Sequence, residues 1–187
     1  MKSKNILMLM LSTGLFIAGC NNGVNSNDAK KQADAENKKA NVIDNADAKF
    51  MTSAASGGLM EVQAGNIALQ RGISQEVKDF GQLMITDHGK ANDDLNAMAT
   101  SKNVVLPAVV SNDDQKKLDK LNKVDAKDFD KTYINMMIED HNAAIDMFQK
   151  VVDNPKDADV KAWAQNTLPT LLHHLEQAKA DKTILDK

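Results

Sequence analysis

Apolar residues recur at intervals of three and four from about residue 47 onward, which is the spacing of helices with one buried face. The spacing predicts long helices over 48–71, 75–101, 125–152 and 157–181, with a short one over 112–122. Ser74 and Ser111 stand where N-caps are expected, and Gly72 stands where the first helix should stop. Pro169 is expected to kink or divide the last helix. We therefore predict an all-α fold, an up-down four-helix bundle with one short extra helix in its central connection.

Residues 20–46 lack this pattern. They are rich in Asn, Asp, Lys and Ala and contain few sizeable apolar side chains. A segment of this composition buries too little apolar surface to order itself. We expect a flexible polar tether here, with only transient helix around residues 29–40, and the bundle domain at residues 47–183.

The beginning of the chain has the features of an export signal. A short basic head precedes an apolar run over residues 6–17, which is too short to cross a bilayer comfortably but has the length of a signal-peptide core. The run ends in an aliphatic residue, two small residues and Cys20, a pattern that resembles the bacterial lipobox. Residues 1–19 are thus predicted to be a lipoprotein signal peptide, and Cys20 the residue that carries the lipid. The alternative is an ordinary secretory signal followed by a chance cysteine.

A lipid on Cys20 determines the expected location and the one expected partner, the membrane. Several acyl chains anchor a protein firmly, because each buried CH₂ group contributes about 0.8 kcal/mol. Asn21 follows the cysteine, and by similarity to enterobacterial sorting this favours the outer membrane, with the protein facing the periplasm. The sequence therefore predicts a lipid-anchored protein of the bacterial cell envelope.

The composition argues against several classes of function. The net charge is −3 and Arg71 is the only arginine, which argues against nucleic acid as a partner, because its recognition relies on basic patches and arginine forks. Cys20 is the only cysteine, so neither an internal disulfide framework nor a multi-cysteine zinc site is possible. The sequence contains no Gly-x-Ser-x-Gly, Walker or dinucleotide motif. It assigns no catalytic residue and supports no particular reaction.

Each long predicted helix directs one polar residue toward the interior. His88 and His141 fall in phase with the apolar stripes of their helices, and Glu61 does so on the first helix. His174 lies at the edge of the inner face of the last helix, whereas His173 is about 100° further round and should face solvent. That inner face is predicted from the apolar residues Ala164, Leu168, Leu171, Leu172 and Leu175.

Four metal-competent groups at similar depth favour a metal site in the bundle core. An isolated buried carboxylate such as Glu61 is very costly, so it needs a partner, a proton or a metal ion. Cores of ferritin-like bundles surround metal ions with carboxylates and histidines from facing helices. Asp87 and Asp140 directly precede His88 and His141, and they are further candidates to ligate or to orient a histidine. Iron, zinc, manganese and copper are all compatible with this set.

Two other functions fit the same residues. A histidine on an apolar face is more often a hydrogen-bonded core residue than a ligand, so a metal-free structural or stress-related envelope protein is one alternative. The other is a copper carrier, because Met84 precedes His88 by four and Met137 precedes His141 by four, and thioether with imidazole is a plausible set for Cu(I). Methionine is also a common core filler where aromatic residues are scarce.

From about residue 50 to residue 180 the chain resembles the bacterial domain of unknown function numbered 4142. The residues that carry the resemblance are Phe50, Glu61-Val62, Val77-Lys78-Asp79-Phe80, Met84, Asp87-His88, Pro107, Phe129-Asp130, Tyr133, Asp140-His141, Leu168-Pro169-Thr170-Leu171 and His174-Leu175. The resemblance implies an exported, ferritin-like helical bundle, and such proteins are often labelled as outer-membrane proteins. The segment 137–147 also resembles the exported family numbered 305. The Glu-x-x-His pairs of di-iron bundles are missing, since isoleucine stands three residues before His88 and His141.

Overall fold

The computed structural model describes residues 28–187, and every regular element in that range is an α-helix. The elements are α1 Ala29–Ala40, α2 Asn45–Arg71, α3 Gln75–Ser101, α4 Asn112–Lys123, α5 Ala126–Asp153 and α6 Ala158–Leu185. The prediction of an all-α bundle is confirmed for this part of the chain, in which none of the helices is long and apolar enough to cross a membrane. The predicted signal peptide, Cys20 and the first residues of the tether lie outside the described range.

Helix boundaries follow the capping residues. The Ser74 hydroxyl accepts a hydrogen bond from the backbone N–H of Val77 at 3.3 Å, and Ser111 caps α4 in the same way. Gly72 ends α2 as predicted. It does not adopt the left-handed conformation that is usual for a glycine after a helix, because its φ is −58°. A Cβ at Gly72 would lie 2.6 Å from the carbonyl oxygen of Ala68, so the close turn into α3 requires glycine.

The long helices pack mainly as two hairpins, α2 with α3 and α5 with α6, and the hairpins enclose two apolar clusters. The first apolar cluster includes the aromatic residues Phe80, Phe129 and Tyr133 and the methionines Met60, Met84 and Met137. The second apolar cluster is built around Phe50, Met51, Leu95, Phe148 and Leu171. On α3, α5 and α6 one buried histidine separates the two clusters, and Glu61 of α2 lies against two of these rings. These four residues, Glu61, His88, His141 and His174, are called the polar layer below.

Helix α1 differs from the expected flexible tether. It packs against α2, and its anchors are polar rather than apolar. Buried Asn37 donates to the carbonyl of Val105 at 2.8 Å and accepts from the N–H of the same residue at 2.7 Å. Thr52 of α2 donates its hydroxyl hydrogen to Asp34 at 2.5 Å. The segment 29–40, where only transient helix was expected, is thus held in place by specific hydrogen bonds, which a count of apolar side chains does not include.

Helix α6 runs without a break through Pro169, so the proline does not divide it. Its inner face differs from the prediction at two positions. Leu172, predicted to face inward, is 45% exposed. His174 is fully buried instead of lying at the edge, and His173 is exposed as its spacing predicts. The buried face of α6 therefore continues Ala164, Leu171, His174 and Ala178, at helical spacing.

Two glycines of α3 give a matched test of helix packing. A Cβ at Gly81 would lie 2.9 Å from both the Cβ of Ala68 and the carbonyl oxygen of Gly65, whereas a Cβ at Gly89 would meet nothing within 4 Å. Gly81→Ala is therefore expected to lower the free energy of unfolding by about 1–2 kcal/mol through overpacking. Gly89→Ala should raise it by about 0.5–1 kcal/mol, because alanine is the better helix former. Urea titrations of both variants measure the difference, and equal effects of the same sign would contradict this account.

Candidate metal centre

The polar layer brings together one side chain from each long helix. His141 and His174 are fully buried, and Glu61 and His88 are 5% and 6% exposed. One ring nitrogen of each histidine lies within 4.8 Å of one from each of the other two. Side chains from four separate helices thus meet at one depth of the bundle, where the two apolar clusters adjoin.

Two of the histidines have ring nitrogens whose protonation is determined by their partners. Nδ1 of His141 lies 2.9 Å from the backbone carbonyl oxygen of Met137, which can only accept, so this nitrogen carries a hydrogen. Nε2 of His174 lies 2.9 Å from Oδ2 of Asp87 and donates to that carboxylate. In the neutral rings, the remaining nitrogens, Nε2 of His141 and Nδ1 of His174, each carry a lone pair, and they face each other at 3.2 Å.

The third histidine is oriented by Glu61. Nδ1 of His88 lies 3.1 Å from Oε2 of Glu61, while Nε2 of His88 is buried and has no hydrogen-bond partner among the described residues. The other oxygen of Glu61, Oε1, lies 3.5 Å from Nδ1 of His141. Glu61 therefore contacts the Nδ1 side of two rings and leaves Nε2 of both without a carboxylate partner. The sequence predicted Glu61 as a candidate ligand, and the structure places its carboxylate against the Nδ1 atoms of two histidines, a position from which it can orient both rings.

Burial changes the acid–base properties of the whole layer. Removal from water lowers the pKa of His88 and of His174 to about 4, and it lowers the pKa of His141 as well. Burial raises the pKa of Glu61 to about 7, against the opposing attraction of His141. All three imidazoles are therefore neutral near pH 7, which is the form that binds metal ions.

The two aspartates of the Asp-His pairs have different surroundings. Asp87 reaches across to His174 of α6. Asp140 instead forms an ion pair with Lys117 of α4, and burial raises the pKa of the Asp140 carboxyl. Asp87 thus belongs to the histidine cluster as an orienting group, and the ion pair directs Asp140 toward α4.

Met84 and Met137 are both fully buried members of the first apolar cluster. The contribution of Met137 to the centre is its backbone carbonyl, which fixes the ring of His141. Sequence reasoning missed this group. The signal was nevertheless present, because a carbonyl four residues before a buried histidine lies within reach of Nδ1 in a helix.

The pattern of partners matches what metal-binding histidines require. Such residues donate one ring N–H to a carboxylate or carbonyl, which leaves the other nitrogen free and directed at the ion. Here the three partners are Glu61, the Met137 carbonyl and Asp87. Two metal–nitrogen bonds of about 2.1 Å at a tetrahedral angle place their nitrogens about 3.4 Å apart. The 3.2 Å separation of the facing nitrogens of His141 and His174 is close to this value.

The metal-free protein should gain stability as pH rises between about 4 and 6.5. In this window the unfolded chain protonates His88 and His174, whose ordinary pKa is 6.5, and the folded protein does not. Glu61 lowers the stability as pH rises from 4.5 to about 7, because in this range the Glu61 carboxyl keeps its proton only in the folded protein. Two histidines outweigh one glutamate, so the net contribution of these groups rises with pH. Denaturant titrations across this window measure it. Glu61→Gln should steepen the rise, and an unchanged slope would contradict the assignment.

Comparison with known proteins identifies the family. The family described as domain of unknown function (DUF4142) matches residues 29–180. The chain belongs to this family. The match confirms the family resemblance predicted from the sequence, and it includes α1, which the predicted domain boundary left out. No curated protein matches the chain.

A solved structure supports the fold. The crystal structure of a DUF305 fragment from Deinococcus radiodurans is similar to this chain with a TM-score of 0.66 at 12% sequence identity. The similarity covers 77% of this chain and 97% of the other. At this identity the likeness establishes a shared helical fold.

Proposed function

We propose that this protein binds one divalent transition-metal ion through His88, His141 and His174, inside a ferritin-like four-helix bundle. The observation that carries the proposal is the pair of ring nitrogens, Nε2 of His141 and Nδ1 of His174, that face each other at 3.2 Å with their lone pairs. The opposite nitrogens of both rings are engaged as donors, to the Met137 carbonyl and to Asp87.

Two facing lone pairs need a proton or a cation between them. A proton there would make one ring an imidazolium, since both opposite nitrogens already carry hydrogens. Burial disfavours that form, and the pKa values of both rings are lowered. A metal ion satisfies both nitrogens without breaking either hydrogen bond. The unpartnered Nε2 of buried His88 supplies a third nitrogen.

The charge of the surroundings favours a divalent ion. Three neutral imidazoles leave the ion's charge of +2 uncompensated, and Glu61 and Asp87 supply two negative charges through the ring hydrogens that they accept. Metal binding would complete the ionisation of Glu61, whose pKa is raised to about 7 by burial. Imidazole nitrogen suits zinc, iron and copper well, so these ions are the first to test, with manganese.

The arrangement of helices supports the ferritin-like description. Each of the long helices α2, α3, α5 and α6 supplies one member of the polar layer. Cofactor sites in helix bundles are built in this way, from inward side chains on facing helices. The three nitrogen ligands and their orienting carboxylates distinguish this site from a di-iron centre with paired Glu-x-x-His motifs.

Metal content and affinity test the proposal. The purified protein is stripped with a chelator, titrated separately with Zn²⁺, Fe²⁺, Mn²⁺ and Cu²⁺, and compared with a variant carrying His88→Ala, His141→Ala and His174→Ala. We expect one ion per wild-type chain and none bound tightly by the variant. His173→Ala, at the exposed neighbour of His174, is the control and should bind like the wild type. Equal and negligible binding by wild type and triple variant, for all four ions, would leave the metal-free structural function.

We further propose that the protein is a cell-envelope lipoprotein anchored through Cys20, with the polar tether and α1 between the lipid and the bundle. The lipobox-like sequence before Cys20 supports this proposal. In cells given radiolabelled palmitate, the wild type should be labelled and sediment with membranes. Cys20→Ala should lose both properties, and membrane association that persists in Cys20→Ala would contradict lipid anchoring.

A further inference from the structure

A small cavity adjoins the polar layer on the side of the second apolar cluster. Its volume is about 50 Å³, and side chains of all four long helices line it. A single water needs roughly 10–15 Å³ by this measure, so the cavity has room for a molecule larger than water. Its lining includes His88, Glu61, Ala91, Asn92, Phe148 and Leu171.

The cavity meets the polar layer at a group that has no protein partner. His88 lines the cavity, its side chain is 8% exposed, and its Nε2 atom is buried without a hydrogen bond among the described residues. Asn92 lies one helical turn from His88 on the same face of α3 and lines the same cavity. The polar groups of the lining are thus His88, Asn92, Glu61, Ser53 and Thr167, and its other members are glycine, alkyl and aromatic residues.

The opposite side of the polar layer is closed by Phe80. The ring centre of Phe80 lies 6.4 Å from the ring centres of both His141 and His174. Phe80 belongs to the first apolar cluster, which fills the bundle on that side. Open space next to the histidines is therefore found on the cavity side.

Three protein ligands leave a position on the metal unfilled. Structural zinc sites use four protein ligands, whereas sites that act on other molecules keep one position open. Glu61 also lines the cavity, but its carboxylate oxygens contact the Nδ1 atoms of His88 and His141 and not their Nε2 atoms.

Building on the proposed metal site, we propose that the cavity admits a small exogenous molecule of two or three heavy atoms, with an oxygen or nitrogen donor atom, as the fourth ligand of the metal ion. The volume sets the size of this molecule, and the carboxylate of Glu61 in a largely apolar lining disfavours multivalent anions. An uncharged molecule keeps the site neutral, because Glu61 and Asp87 already balance a divalent ion, and a monoanion adds a single negative charge. Dioxygen, peroxide and azide belong to this class.

Azide binding to the cobalt-substituted full-length protein tests the inference, because the visible absorption of Co²⁺ reports its ligands. We expect azide to shift the wild-type spectrum in a saturable way. Ala91→Leu fills part of the cavity and should weaken azide binding at least about tenfold, with Co²⁺ affinity unchanged within about twofold. Ala97→Leu makes the same substitution at an exposed position of α3 and should match the wild type. Ala144→Leu, from α5, serves as a second blocking variant should Ala91→Leu fail to fold or to bind Co²⁺.

The outcomes separate this inference from the proposed function. If the wild type binds no Co²⁺ or other ion, the metal site itself is absent. If Co²⁺ binds and azide leaves its spectrum unchanged, the metal site stands and the open position is overturned. An azide response of equal affinity in the wild type and a folded blocking variant would also overturn the inference, because the ligand would then reach the metal by another side.

Discussion

His174→Ala is expected to abolish tight metal binding, and Asp87→Asn to weaken it by about 10- to 100-fold. The first change removes a nitrogen that would bond the ion directly in the proposed site. The second keeps a side chain of the same shape beside Nε2 of His174 but removes the charge that holds the ring and its tautomer. Isothermal titration with Zn²⁺ measures both affinities on one scale.

The difference in zinc affinity between His174→Ala and Asp87→Asn shows whether Asp87 is a ligand or an orienting group. Asp140→Asn is the matched control, because Asp140 occupies the equivalent position before His141 but pairs with Lys117. It should leave the affinity near that of the wild type. If Asp87→Asn were as damaging as His174→Ala, Asp87 would be a ligand and not an orienting group. If Asp87→Asn had no effect, the contact with His174 would be irrelevant to metal binding.

Asn37→Leu is expected to lower the free energy of unfolding by about 2–3 kcal/mol, since it leaves a backbone donor and acceptor without their partners. The Asn37 amide satisfies both the N–H and the carbonyl of Val105, which lies 68 residues away in the connection between α3 and α4. Leucine branches at the same carbon as asparagine but offers neither a donor nor an acceptor. Denaturant titration measures the loss, and proteolysis near α1 should become faster.

The control for this change is Gln32→Leu, at an exposed position of the same helix. It adds a leucine to α1 without touching the connection, so its effect should be small. A small effect of Asn37→Leu as well would mean that α1 adds little to the bundle and is a tether in the sense expected from composition.

Periodicity and caps were sufficient to predict the long helices. Ser74 and Ser111 cap α3 and α4 as expected, since a hydroxyl before an apolar helical repeat is a local signal. Helix α1 was expected only as a transient helix, because its stabilising contacts join residues far apart in sequence, as between Asn37 and Val105. No local pattern contains such a contact.

The same distinction applies to the candidate site. Helical spacing was enough to turn Glu61, His88 and His141 inward, because it fixes the direction of each Cβ. It does not fix the rotation of an imidazole ring, which depends on partners such as the Met137 carbonyl. Asp87 and Asp140 occupy equivalent places in sequence, and only the packing of α6 and α4 gives them different partners. The residues of the site were therefore predictable, and their roles were not.

The polar layer also divides the core of the bundle into two parts. The two apolar clusters follow one another along the bundle, and each long helix contributes to both. The apolar packing is interrupted where the histidines and Glu61 meet. An ion bound by histidines of α3, α5 and α6 at that level would cross-link these three helices between the two apolar clusters. Its arrival or departure would then be felt at both ends of the molecule.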